Sequence, residues 1–181
     1  MRYFRCFLLV ALVAIAGKAN AQDFTVFGGF HHPGAINLLP SVGGVTGAAG
    51  QLLTEPKTFG VFGARLYRSG APLGLEHTIA FSPNFVESDA NALIYNTNLR
   101  VELPAPMIRP YVTAGIGLVR AGGNGPGAFG TKFSFNYGGG VKASVFGPAG
   151  VRLDVRGYSI RGVGEQTFRV LEASVGIFFS Y

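Results

Sequence analysis

From residue 22 onward, apolar and polar side chains alternate with a period of two in eight separate stretches. That period puts successive side chains on opposite faces of an extended chain, so the stretches predict β-strands. They run Phe24–Phe30, Phe59–Arg68, Leu75–Ser82, Ala92–Leu103, Tyr111–Arg120, Phe133–Val145, Val151–Ser159 and Phe168–Tyr181. Past residue 22 no apolar stretch is long enough for a membrane-spanning helix. An all-β fold follows. Eight is also the even count that lets an antiparallel up-and-down barrel close with both chain ends on one side.

The connections carry a second pattern. Ser69-Gly70-Ala71-Pro72, Pro104-Ala105-Pro106 and Gly147-Pro148-Ala149-Gly150 are short turn sequences. His31–Thr58, Pro83–Asn91, Ala121–Lys132 and Ile160–Thr167 are longer and polar or glycine-rich. Strict alternation of long and short connections is expected of a transmembrane barrel, with short turns at one membrane face and loops at the other. A soluble β-sandwich has no reason to sort its loops in this way.

The strand faces separate cleanly. Leu171, Ala173, Val175, Ile177, Phe179 and Tyr181 oppose Glu172, Ser174, Gly176, Phe178 and Ser180. Val151, Leu153 and Val155 oppose Arg152, Asp154 and Arg156, while Leu93, Tyr95, Leu99 and Val101 oppose Asn96, Asn98, Arg100 and Glu102. A water-soluble barrel would turn its apolar face inward. Two features favour the inverse. The polar faces carry Gly63, Gly115, Gly117, Gly138, Gly140 and Gly176, which leaves room for long charged chains inside. The chain also ends on Phe179-Ser180-Tyr181, and outward aromatics suit a membrane interface. The expected lumen is therefore a charge network of Arg65, Arg100, Lys142, Arg152 and Arg156 against Glu76, Glu102, Asp154 and Glu172, with no charge on the assignable outer faces. In the first strand Phe24, Val26 and Phe27 leave the inward face undecided.

Composition agrees with a β protein. Glycine contributes 28 of 181 residues, about twice the usual share, and only 13% are charged against 48% hydrophobic, which excludes a disordered charged tail. Arg2 and Arg5, the apolar run Cys6–Ala16 and the small-x-small Ala19-Asn20-Ala21 predict a secretory signal peptide over residues 1–21. That run is too short to serve as a helical membrane anchor. Cleavage after Ala21 would start the mature chain at Gln22, remove the sole cysteine and exclude disulfides. It would also lower the net charge of +6 by three. No basic run suited to nucleic acid is present.

Several motifs then join. Arg109-Pro110-Tyr111-Val112-Thr113-Ala114-Gly115-Ile116-Gly117, Asn136-Tyr137-Gly138-Gly139-Gly140-Val141-Lys142, Val151-Arg152-Leu153-Asp154-Val155-Arg156, the signal peptide and the terminal aromatic together resemble the eight-stranded outer-membrane β-barrel family of Gram-negative bacteria. This is the type seen in the transmembrane part of outer membrane protein A and in outer membrane protein X. The resemblance covers the whole mature chain, residues 22–181, as one barrel domain. It implies residence in the outer membrane, contact with its lipid and lipopolysaccharide, and Phe179 and Tyr181 as an assembly signal read by the barrel-assembly machinery. A peptidoglycan-binding domain would be needed to carry over a wall-tethering role, and none is expected.

Candidate chemistry is sparse. His31-His32 is expected to be an exposed loop pair, because adjacent residues point apart and no acid or cysteine completes a metal site. His77 lies on an apolar face, where a lipid-modifying enzyme would need a serine and a carboxylate beside it. Ser82, Ser88 and Asp89 with a histidine have the residue types of a hydrolytic cluster without a spacing that demands one. Gly122-Gly123-Asn124-Gly125-Pro126-Gly127 lacks the Lys-Ser/Thr ending of a phosphate loop, and Gly115-x-Gly117 lacks the rest of a nucleotide fingerprint. The reading is thus a non-enzymatic barrel without cofactor or metal, with a structural or surface-interaction role through four loops, where an extracellular ligand would bind. A narrow pore or carrier, and less so a lipid-modifying enzyme, are the alternatives.

Overall fold

The computed structural model describes residues 22–34, 58–69, 73–85, 90–123, 128–163 and 166–181. Its elements are β1 (Gln22–Pro33), β2 (Phe59–Arg68), β3 (Leu73–Ser82), β4 (Ala90–Glu102), β5 (Ile108–Gly123), β6 (Gly130–Phe146), β7 (Ala149–Val163) and β8 (Gln166–Ser180). Each strand pairs antiparallel with its sequence neighbours, and β1 pairs with β8 to close an eight-stranded barrel. At the seam Asp23 faces Ser180 and Pro33 faces Val170. Closure gives every strand two partners, the condition for a sheet to sit in hydrocarbon.

Every strand except β2 exceeds its expected length, chiefly at the end opposite the chain termini. β5 to β8 have 15 to 17 residues, whereas β1 to β4 have 10 to 13. The fourth connection, expected over Ile160–Thr167, is mostly strand: Arg161 pairs with Thr167, and Val163 with Gln166 after a register shift. The strict alternation of loop lengths therefore fails at this hairpin. Polar composition read as loop is here the rim of the sheet, where side chains have left the apolar band. The wall from β5 to β8 is the longer side of the barrel.

Inside and outside are inverted relative to a soluble protein, as expected. Phe24, Val26, Leu99, Val112, Ile116, Leu153, Val155, Val175 and Ile177 are exposed, while Arg65, Arg100, Lys142, Arg152 and Arg156 are fully buried. The ambiguous first strand resolves to Asp23, Thr25, Phe27 and His31 inward, with Phe24, Val26, Phe30 and His32 outward.

Glycine makes room across the strand pairs. A Cβ on Gly117 would run into the Asn96 amide and the Tyr95 carbonyl, and one on Gly115 into Asn98. Gly140 similarly clears the Tyr111 ring and Gly138 the Arg156 stem. Gly117→Val should lower stability by about 1–3 kcal/mol through overpacking. Gly122→Val, with open space around it, should change it little. Thermal midpoints of the two variants check this, and equal midpoints would contradict it.

Candidate functional site

The lumen has two zones. The zone toward the chain termini is a continuous ladder of ion pairs. Lys142 and Ser180 both bond Asp23, and Arg100 bonds Glu102 and reaches Glu76 at 3.2 Å. Glu76 is the hub, because Arg152 also lies 2.8 Å and Arg156 2.6 Å from its carboxylate. Asp154 accepts from Arg152 at 2.8 Å, Arg156 at 2.9 Å and Arg65 at 2.9 Å. Arg65 continues to Glu172 at 2.5 Å, which also accepts from the Tyr158 hydroxyl at 3.0 Å and lies 3.1 Å from His31 Nε2. Guanidinium faces stack as well, Arg65 on Phe27 at 3.6 Å and Arg100 on Tyr67 at 3.9 Å.

All nine residues expected in this network are brought together there. A tenth residue outside the expected set, Asp23, joins them and brings the signs to five and five. Alternation carries the signal: Asp23 shares its parity with Thr25 and opposes the outward Phe24 and Val26, which places it on the lumen side. Arg109 sits at the rim, 3.4 Å from Glu102.

Beyond His31 the lumen turns apolar. Phe59, Phe85, Tyr158, Ile160, Phe168 and Val170 pack with Phe27, Val61, Ile94 and Val119 into one cluster. Phe85, just after β3, reaches back into the barrel, its ring centroid 5.0 Å from Phe59 and 6.1 Å from both Phe129 and Phe168. Packed edge-to-face, these rings form an aromatic stopper above the charged zone.

The expected loop histidines divide. His31 is not an exposed loop residue: β1 runs past it, alternation turns it inward, and only 1% of it is accessible. His32 is exposed and lies 3.2 Å from the Thr58 hydroxyl. Among the described residues no three acids, histidines or cysteines gather as a metal site. His77 Nδ1 meets the Tyr95 hydroxyl at 3.0 Å and the Thr97 hydroxyl at 3.2 Å, with no carboxylate of the described residues bonded to it. Ser82 is buried and donates to the Gly60 carbonyl at 2.7 Å. Ser88, Asp89, residues 124–127 of the glycine-rich stretch and the expected signal peptide, with Cys6, lie outside the described residues.

One expectation about the outer face fails. Arg68, Arg120, Arg161 and Arg169 point outward. They stand at strand ends, where a charge escapes the mid-membrane cost of about 2–4 kcal/mol.

A profile of the outer membrane protein beta-barrel domain matches residues 6–179. The chain belongs to this family. As an outer-membrane barrel it resembles Neisserial surface protein A, with a TM-score of 0.68 at 14% identity over 90% of this chain and 100% of that one. It also resembles Ail, the attachment invasion locus protein of Yersinia pestis, with a TM-score of 0.53 at 12% identity over 91% and 100%. A second Ail structure, in complex with the heparin analogue sucrose octasulfate, aligns with a TM-score of 0.50 at 12% identity over 88% and 99%. Likeness at these identities is likeness of fold. No curated protein matches the chain in sequence. Within the family barrel, the outward Phe179 and Tyr181 flank the closing seam, where Tyr181 and Gln22 exchange backbone hydrogen bonds at 2.9 and 3.0 Å.

Proposed function

We propose that this outer-membrane barrel is a closed, non-enzymatic anchor, and that its role is structural or adhesive, exercised through the four connections at the outer end. The observation that carries the reading is the filled lumen. Eight strands enclose a space about filled by side chains, and here ten paired charges and an aromatic stopper occupy it. A pore is therefore the lesser reading. An enzyme of the lipid face would need a carboxylate near His77, and Tyr95 and Thr97 stand there instead. The binding of a heparin analogue by Ail supports an extracellular ligand as the kind of partner to seek.

The lipid contacts, the recognition of Phe179 and Tyr181 by the assembly machinery, and cleavage after Ala21 belong to the same proposal. Cell fractionation tests it first. The protein should be found in the outer membrane and should run faster on gels unless boiled, as a folded barrel does. Sequencing its N-terminus should give Gln22. Recovery from the soluble periplasm would refute the proposal.

A further inference from the structure

The outward arginines at the outer rim are not scattered. Arg120 on β5, Arg161 on β7 and Arg169 on β8 are exposed and lie on the longer wall of the barrel. On β8 the next outward residues toward the termini are Leu171, Ala173, Val175, Ile177 and Phe179. At a rise of ~3.3 Å per residue and a tilt of ~40°, Leu171 to Phe179 covers about 20 Å, most of the ~25 Å apolar band of such barrels. Arg169 therefore stands at its outer edge. Arg120 similarly follows Val112, Ala114, Ile116 and Leu118.

Register brings two of the three together. Arg169 faces Ser159 and Arg161 faces Thr167, so Arg161 and Arg169 are diagonal neighbours on one face, about 7–8 Å apart. Arg120 faces Thr131 on β6. Like charges so placed repel unless something negative lies between them. The protein supplies nothing negative among its described residues, because all five described carboxylates point into the lumen. The facing Thr131 and Thr167 are exposed and add hydroxyl donors. On the shorter wall the corresponding outward rim residues are His32, Gly60, Phe81 and Asn91, so among the described residues the outward arginines of the outer rim lie on one side.

We infer that Arg120, Arg161 and Arg169 form a binding surface for the phosphates of a membrane-anchored glycolipid in the outer leaflet, the phosphorylated lipid portion of lipopolysaccharide. The planar guanidinium forks suit phosphate oxygens two at a time. The apolar wall below them lies beside the acyl chains, so one lipid satisfies both parts of the surface. This inference rests on the outer-membrane reading and gives its lipid contact a place and a chemistry.

The test uses the full folded chain in phosphatidylcholine vesicles doped with diphosphorylated lipid A or with the same lipid after its phosphates are removed. Lipid retained by the purified protein is counted by native mass spectrometry. The unmodified chain should prefer the phosphorylated form by about tenfold or more, the scale of charge-assisted hydrogen bonds. R120Q/R161Q/R169Q should lose that preference while keeping its heat-dependent gel shift, and R120K/R161K/R169K should keep part of it. Millimolar inorganic phosphate or sucrose octasulfate should not abolish the preference. Equal retention of both lipids by the unmodified chain would overturn the inference without needing any variant. So would an undiminished preference in the folded glutamine variant, or full displacement by the soluble anions. None of these outcomes alters fractionation or conductance, which test the anchor reading separately.

Discussion

Replacing Glu76 with leucine is expected to destabilise the folded barrel by about 3–5 kcal/mol, the cost of removing one partner from a buried charge pair. Glu76 is fully buried and touches Arg100, Arg152 and Arg156 at 2.6 to 3.2 Å. Without it three guanidiniums crowd a dry space with one carboxylate fewer. Arg156→Leu should cost less. It removes contacts to Glu76 and Asp154, yet Glu76 keeps Arg100 and Arg152, and Asp154 keeps Arg65 and Arg152. Urea unfolding of both variants in lipid vesicles measures the order. A Glu76→Leu loss below about 1 kcal/mol, the range of exposed pairs, would show that the network is not dry.

Deleting Tyr181 should sharply reduce the yield of folded barrel, because it removes part of the seam itself. Its backbone donates to Gln22 and accepts from it, and its hydroxyl reaches Gln22 Oε1 at 3.1 Å. Two backbone bonds contribute about 0.5–1.5 kcal/mol each, and the outward ring adds its interface anchoring. Tyr181→Ala keeps the backbone and loses the ring. Yields of heat-modifiable protein in cells therefore separate the two contributions. If the ring is the assembly signal, the alanine variant should fall nearly as far as the deletion. Normal yield from both would make the aromatic incidental.

These consequences differ in how legible they were. Strand number, order and the inward set around Arg152-Asp154-Arg156 follow from period-two alternation, because lipid tolerates charge on one face only. Asp23 escaped because Phe24, Val26 and Phe27 gave β1 two apolar runs, and an inward aromatic looks the same as an outward one. Phe27 is inward because Arg65 stacks on it, a contact made by a residue of another strand. His31 escaped for a related reason. Its burial depends on Glu172 of β8, 141 positions away, and local polarity marked it as loop. The aromatic stopper was invisible because Phe85 and Phe129 come from connections, whose packing has no periodicity to read. Arg161 and Arg169 are not legible as rim residues because polar composition alone does not distinguish a loop from a sheet continuing beyond the membrane.

The central claim is that the lumen is filled by pairing and does not conduct. Single-channel recording of the purified, folded protein in planar bilayers tests it most directly. The account predicts little or no steady conductance, since the paired charges from Asp23 to Glu172 and the rings around Phe85 are buried across the lumen. Large, stable, ion-selective openings from the folded protein would contradict it.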